Sequence, residues 1–198
     1  ARLFLEEETD QNFSTIMRDK PLHIAAQRGY YDMALLLIKF KDKVNAQKLS
    51  LVKETPLDVA VLGGHADIVV LLVNNGARVN VHKENGWGAI HQAADEGRAD
   101  VVRVLLKAGA DGRFLTDGPN GQTPLNIALD RKQVGVIKVL LSQSGVAKDI
   151  HAPLPHRQDE ALPLNLMIAR KSLDVFNALV ESGVNIDQSD SRGWTPLF

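Results

Sequence analysis

Cysteine is absent from the 198 residues of this chain. That excludes a disulfide framework, a thiolate nucleophile and cysteine-bound zinc, and it fits a reducing, cytoplasmic or nuclear compartment. A field of one sign is absent too. Lysine plus arginine (23) nearly balance aspartate plus glutamate (24), for a net charge of −1, so nucleic acid is not an expected partner. Long apolar runs are also missing. Stretches such as IVVLLV (residues 68–73) fall far short of the roughly 20 residues a membrane-spanning helix needs, and no direct membrane insertion is expected. The N-terminus lacks the basic-then-apolar order of a secretory signal. There is no glycine-rich phosphate loop, nucleophile elbow or metalloprotease helix motif. These absences leave no support for a cofactor, a metal site or catalysis in this segment.

What the sequence does contain is repetition. TPLDVAVLGGHADIVVLLVNNGARVNV (residues 55–81) returns as GAIHQAADEGRADVVRVLLKAGADGRF (88–114) and again as TPLNIALDRKQVGVIKVLLSQSGVAKD (123–149). With the threonine of TPL as origin, the units begin at Lys20, Thr55, Gly88, Thr123, Leu162 and Thr195, at spacings of 35, 33, 35, 39 and 33. Five whole units follow: 20–54, 55–87, 88–122, 123–161 and 162–194. Residues 1–19 read as the end of a preceding unit, because Leu3, Phe4 and Leu5 fall in register with the apolar positions of a second helix. Residues 195–198 read as the start of a further one. The expectation is therefore a fragment of a longer array; the alternative is a degenerate N-terminal cap helix.

Each unit carries its own punctuation. The Thr55 hydroxyl can cap a helix, and Pro56 suits the first helical position, where a missing N–H costs nothing. Leu57, Ala60 and Val61 form an apolar stripe at helical spacing. Ala60, Ala93, Ala94 and Ala128 are small enough to let neighbouring helices approach. Gly64 and His65 break the first helix, and Ile68, Val69, Leu71 and Leu72 line a second. Gly76 supplies the left-handed residue that closes it. An extended hairpin or loop leads to the next unit. One such unit cannot bury its apolar face alone, whereas stacked neighbours can.

A self-similar period near 33 with a T-P-L-H-x-A signature resembles the ankyrin-repeat family, and the resemblance covers essentially the whole chain. It implies an all-α repeat solenoid of helix-turn-helix units joined by β-hairpin-like fingers. In the family, His23 and His91 (fourth position of T-P-L-H) and His65 (after the turn glycine) are structural. Asp58, Asn126 and Asn165 hold that fourth position elsewhere, which suits local hydrogen bonding. His151, His156, Asp159 and Glu160 read as a solvated loop rather than a metal set.

Two kinds of departure stand out. Gly29, Gly64 and Gly97 give way to Lys132 and Lys171 nine residues after the origin, so either the turn differs there or the later units are weaker. The connection after Gly145 is the longest in the chain, and insertions in repeats map to loops on one face.

The resemblance implies a protein or peptide partner on a concave face built from finger tips and first helices. Carried over position by position, the partner-facing set is Leu49, Leu51 and Val52 in an elongated first finger, Leu62, Trp87, and the charged residues Asp95, Glu96, Asp130 and Arg131. Trp87 reads equally as packing against the neighbouring hairpin and as an interface anchor. The pair Asp95 and Glu96 reads as a solvated, partner-facing surface rather than a catalytic acid pair. Asn45 and Asn80, each with a leucine eight residues upstream (Leu37, Leu72), resemble the pattern an oxygen-sensing asparaginyl hydroxylase modifies. The expected function is a protein–protein interaction scaffold. The alternative is a targeting or autoregulatory module of a larger enzyme, channel or secreted bacterial effector.

Overall fold

The computed structural model describes residues 20–48, 53–83, 86–117, 121–143, 146 and 172–185, with 187, 189, 193 and 195. The chain divides into two compact units, Ala1–Val79 and Asn80–Phe198. The fold class is the expected all-α repeat solenoid: among the described residues every regular element is a helix.

The first unit holds α1 (Pro21–Arg28), α2 (Tyr31–Lys39), α3 (Pro56–Gly63) and α4 (Ala66–Asn74). Within it α1 packs on α2 and on α3, α3 on α4, and α2 on α4. The second unit holds α5 (Ala89–Asp95), α6 (Ala99–Lys107), α7 (Pro124–Asp130), α8 (Val134–Leu141) and α9 (Leu173–Glu181). There α5 packs on α6 and α7, α8 on α6, α7 and α9. The first helices α1 and α5 thus lie each against its own second helix and against the first helix of the next repeat, α3 and α7.

The capping chemistry explains where the first helices begin. Their N-caps are Lys20, Thr55, Gly88 and Thr123, and proline opens three of them, at Pro21, Pro56 and Pro124. Thr55 makes a reciprocal capping box with Asp58: the threonine hydroxyl oxygen accepts from Asp58 N–H, and Asp58 Oδ2 accepts from Thr55 N–H at 2.8 Å. Gly88 has no side chain to cap with, so only the return half survives, its N–H donating to His91 Nδ1 at 3.1 Å.

Ala25, Ala26, Ala60, Ala93, Ala94 and Ala128 are wholly buried. That is the small-residue seam the helix pairs α1–α3 and α5–α7 need. Beneath it, Ile68, Val69 and Leu72 in the first unit and Val102, Leu105, Ile137 and Leu140 in the second are also buried. Each such side chain contributes roughly 1.5–3 kcal/mol.

The turn within each repeat is built four times alike. Gly29, Gly64 and Gly97 adopt φ of 77°, 75° and 70°, and Lys132 adopts 57°. In each case the residue two positions on donates its N–H back to the turn carbonyl (Tyr31 to Gly29, Ala66 to Gly64, Ala99 to Gly97, Val134 to Lys132). Of the two sequence alternatives, the turn is therefore kept and the lysine carries the strain; Lys171 lies outside the described residues. A left-handed non-glycine residue costs about 1–2 kcal/mol, and glycine returns part of that as unfolded-chain entropy. Lys132→Gly should stabilise the protein by roughly 0.5–1 kcal/mol, read as a shift of the guanidinium midpoint. A midpoint that moves the other way would show that Lys132 makes a compensating contact.

Candidate surface of the fingers and first helices

Consecutive repeats are joined by a side chain that reaches back to the preceding turn. His65 Nε2 lies 3.1 Å from the carbonyl of Gln27, 38 residues earlier, and its ring sits against Gly29 and Gly63. A Cβ on Gly63 would stand 2.6 Å from that ring, so the glycine there answers to packing. In the second unit Gln133 takes the same place: its Nε2 donates to the carbonyl of Asp95 at 3.1 Å, again 38 residues earlier, and the amide lies against Gly97. The residue type differs while the donor and its target are kept. Gln133 was not singled out from the sequence, although it follows Lys132 just as His65 follows Gly64.

The buried histidines span helix and finger. His23 Nε2 lies 3.0 Å from the carbonyl of Glu54, and His91 Nε2 lies 2.8 Å from that of Phe114. His91 is wholly buried. Burial pushes its pKa below the usual 6.5; the Phe114 carbonyl opposes that shift and the nearby His82 adds to it. Around His91 the second unit gathers an aromatic cluster. His82 stacks on Phe114 at 3.6 Å and 3°, Phe114 meets His91 edge-on at 6.0 Å, and Trp87 tilts against His91 at 6.1 Å. Trp87 is half-buried, so its ring packs within its own unit and still offers surface.

The fingers are short hairpins. Lys48 N–H donates to Glu54 O at 2.8 Å, Lys83 N–H to Trp87 O at 2.9 Å and Thr116 N–H to Gln122 O at 3.1 Å. One isolated antiparallel bridge, His82 with Gly88, marks the second of them. Gly86 adopts φ 75°, and a Cβ there would collide with Asp117 N, so consecutive fingers of this unit touch through backbone.

At the ends of the first helices the second unit displays a row of polar groups. Arg131 Nε donates to Asp95 Oδ1 at 2.7 Å, joining the ends of α5 and α7, and Gln122 Nε2 donates to Asp130 Oδ2 at 3.3 Å. Glu96, Asp130 and Arg131 are exposed and Asp95 is half-buried. With Arg131 62 % exposed, the ion pair is worth at most about 1 kcal/mol. It arranges charge on the surface more than it holds the fold. Of the other sequence-derived positions, Leu62 is half-buried on α3 in the first unit, while Leu49, Leu51 and Val52 lie outside the described residues.

Asn45 and Asn80 bridge successive turns. Asn45 Nδ2 donates to Gly76 O at 2.9 Å and its Oδ1 accepts from Arg78 N–H at 3.0 Å. Asn80 repeats this with Gly109 O at 2.9 Å and Asp111 N–H at 3.1 Å. Among the described residues no group of three histidine, aspartate or glutamate side chains is placed to hold a metal ion, and no helix is long and apolar enough to cross a membrane.

The family of ankyrin repeats (3 copies) matches this chain over residues 1–83 and 57–153, more than half its length. The chain belongs to the ankyrin-repeat family. Among curated relatives, the ankyrin repeat and SOCS box protein 3 of Bos taurus is 39% identical over 130 residues, covering 64% of this chain and 24% of that protein. The ankyrin repeat and SOCS box protein 11 of Mus musculus is 27% identical over 108 residues, covering 54% and 31%. Alpha-latrotoxin-Lt1a of Latrodectus tredecimguttatus is 29% identical over 115 residues, covering 58% and 8%. The matched stretches thus span under a third of these relatives' own lengths. Ankyrin repeats generally mediate protein–protein interaction.

Proposed function

We propose that this ankyrin array is a protein-recognition module of the cell interior, without catalysis of its own. Its partner seats on the concave face that fingers and first helices line. The observation that carries this reading is the braced polar row of the second unit. Gln122, Asp130, Arg131, Asp95 and Glu96 stand at the ends of α5 and α7 or beside them, with Arg131 bonded to Asp95 and Gln122 to Asp130. Across the four repeats these helix-end positions vary (Gln27, Leu62, Asp95 and Asp130; Arg28, Gly63, Glu96 and Arg131) more than the core positions do, as expected where core residues serve the fold and surface residues a partner. Trp87, half-buried at the finger base, supplies the aromatic contact that interface centres favour. The apolar positions Leu49, Leu51, Val52 and Leu62 belong to the proposal on sequence grounds. A second reading, a targeting or autoregulatory module of a larger protein, draws support from the much greater length of the relatives.

The test combines Glu96→Lys with Arg131→Glu. Both side chains are exposed, so the melting temperature should move little, the lost ion pair accounting for about 1 kcal/mol or less. Proteins captured by the wild-type chain should lose about 2 kcal/mol or more of affinity, the loss typical of a disrupted interface centre. Unchanged capture by a folded variant would remove this face from consideration.

A further inference from the structure

The turn after α2 departs from a pattern that three other turns share. Three second helices end on a small residue followed by a left-handed glycine: Asn75 and Gly76 after α4, Ala108 and Gly109 after α6, Ser182 and Gly183 after α9. After α2 the same two places hold Phe40 and Lys41. The backbone is unchanged, with Lys41 at φ 65° and Asp42 N–H donating to Leu37 O as Ala77 N–H does to Leu72 O. Lys41 therefore carries strain that glycine would not, and Phe40 is 47% exposed at a place that Asn75, Ala108 and Ser182 fill in the other three turns. A strained residue that persists is a pointer to function.

The surroundings are cationic. Lys39, Lys41 and Lys43 are exposed within five residues, and Asn45, two residues on, bonds the turn after α4 at Gly76 O and at the N–H of the exposed Arg78. None of these four cations is ion-paired among the described residues. Part of this is ordinary, since Lys39 complements the C-terminal end of the α2 dipole. Three further cations and an exposed phenylalanine exceed that need.

We infer that this edge of the first unit is an interaction surface for an acidic, extended segment of a partner protein that carries an apolar side chain among its carboxylates. The backbone donors of the residues that carry the cations, and of Asp42 between them, are already taken: Lys41 N–H by Ile38 O, Asp42 N–H by Leu37 O, Lys43 N–H by Asp42 Oδ1, and Arg78 N–H by Asn45 Oδ1. There is thus no amide cradle for one compact anion such as a phosphate, and recognition falls to side-chain cations spread along the turn. The Asp42 carboxylate stands among them. A continuous anionic membrane surface would meet that carboxylate, whereas a peptide can place its apolar residue there, against Phe40. This surface shares no residue with the polar row of the second unit, and its test does not depend on that row.

The experiment uses the full chain and a short labelled peptide of alternating glutamate and glycine with one central leucine, followed by fluorescence anisotropy. Binding should weaken steeply with added salt. Lys41→Gly should raise the unfolding midpoint while weakening binding at least fivefold, a pairing that a merely structural lysine would not give. Lys43→Gln and Phe40→Ser should also weaken binding, and Lys107→Gln on the second unit should not. Absence of peptide binding overturns the inference, and so does binding indifferent to Lys41→Gly. Capture on vesicles of phosphatidylserine in phosphatidylcholine, with no peptide binding, overturns it in favour of a membrane.

Discussion

Gly86→Ala is expected to destabilise the second unit by roughly 2–5 kcal/mol, far more than the same change at Gly76. Both glycines are left-handed, at φ 75° and 88°, so both substitutions meet the same backbone penalty of about 1–2 kcal/mol. They differ in what surrounds the new methyl. Around Gly76 there is nothing within 4 Å. At Gly86 the methyl would collide with Asp117 N and lie 2.9 Å from Thr116 Cα and C. These are backbone atoms of the next finger, and no rotamer can move them aside. The finger must open, adding an overpacking cost of about 1–3 kcal/mol. Guanidinium unfolding of the two variants side by side reads the difference. Equal losses would mean that the two fingers of this unit are not held in contact, and that the alanine there is paid for by φ alone. Hydrogen exchange should show the Gly86→Ala damage around residues 82–91 and 114–122, because stability in a repeat protein resides in nearest-neighbour interfaces.

The contrast between these glycines also marks where sequence reading stops. The repeat, the caps at Thr55 and Thr123, the prolines that open the first helices and the alanine seam were all legible, because each is local chemistry restated at a fixed period. Gly76 was legible for the same reason: it closes a helix. Gly86 was not, because its second requirement is the approach of a backbone some thirty residues away. Lys41 was missed because a helix that ends on lysine looks ordinary until its φ is known. In the candidate site, the positions of Asp95, Glu96, Asp130 and Arg131 came from the family pattern. The bond between Asp95 and Arg131, 36 residues apart, required the register of α5 against α7. Gln133 shows the converse case: its role could have been found by aligning it with His65, but glutamine and histidine share a donor and not a name.

His91→Phe should cost about 2–6 kcal/mol and flatten the protein's stability against pH between neutral and mildly acidic conditions. The neutral imidazole with its proton on Nε2 fits the site at both ends: Nε2–H donates to Phe114 O at 2.8 Å, and Nδ1 accepts from Gly88 N–H at 3.1 Å. Phenylalanine keeps a flat aromatic ring, somewhat larger than imidazole, and leaves that carbonyl and that N–H without this partner, at about 1–3 kcal/mol for each buried group. Protonation attacks the same arrangement. A proton on Nδ1 would face the Gly88 N–H, and the charge would be buried, so the folded pKa lies below the usual 6.5, with burial as the main cause and His82 adding to it. The unfolded chain then binds a proton that the folded chain refuses. Stability is therefore full above the usual value of 6.5 and falls as pH drops through it toward the lowered folded pKa. Melting curves across that range should slope for the wild-type chain, and the slope should shrink in His91→Phe even though the variant melts earlier at every pH. A variant that keeps the full wild-type slope would assign the pH dependence to other groups and leave His91 a purely steric role.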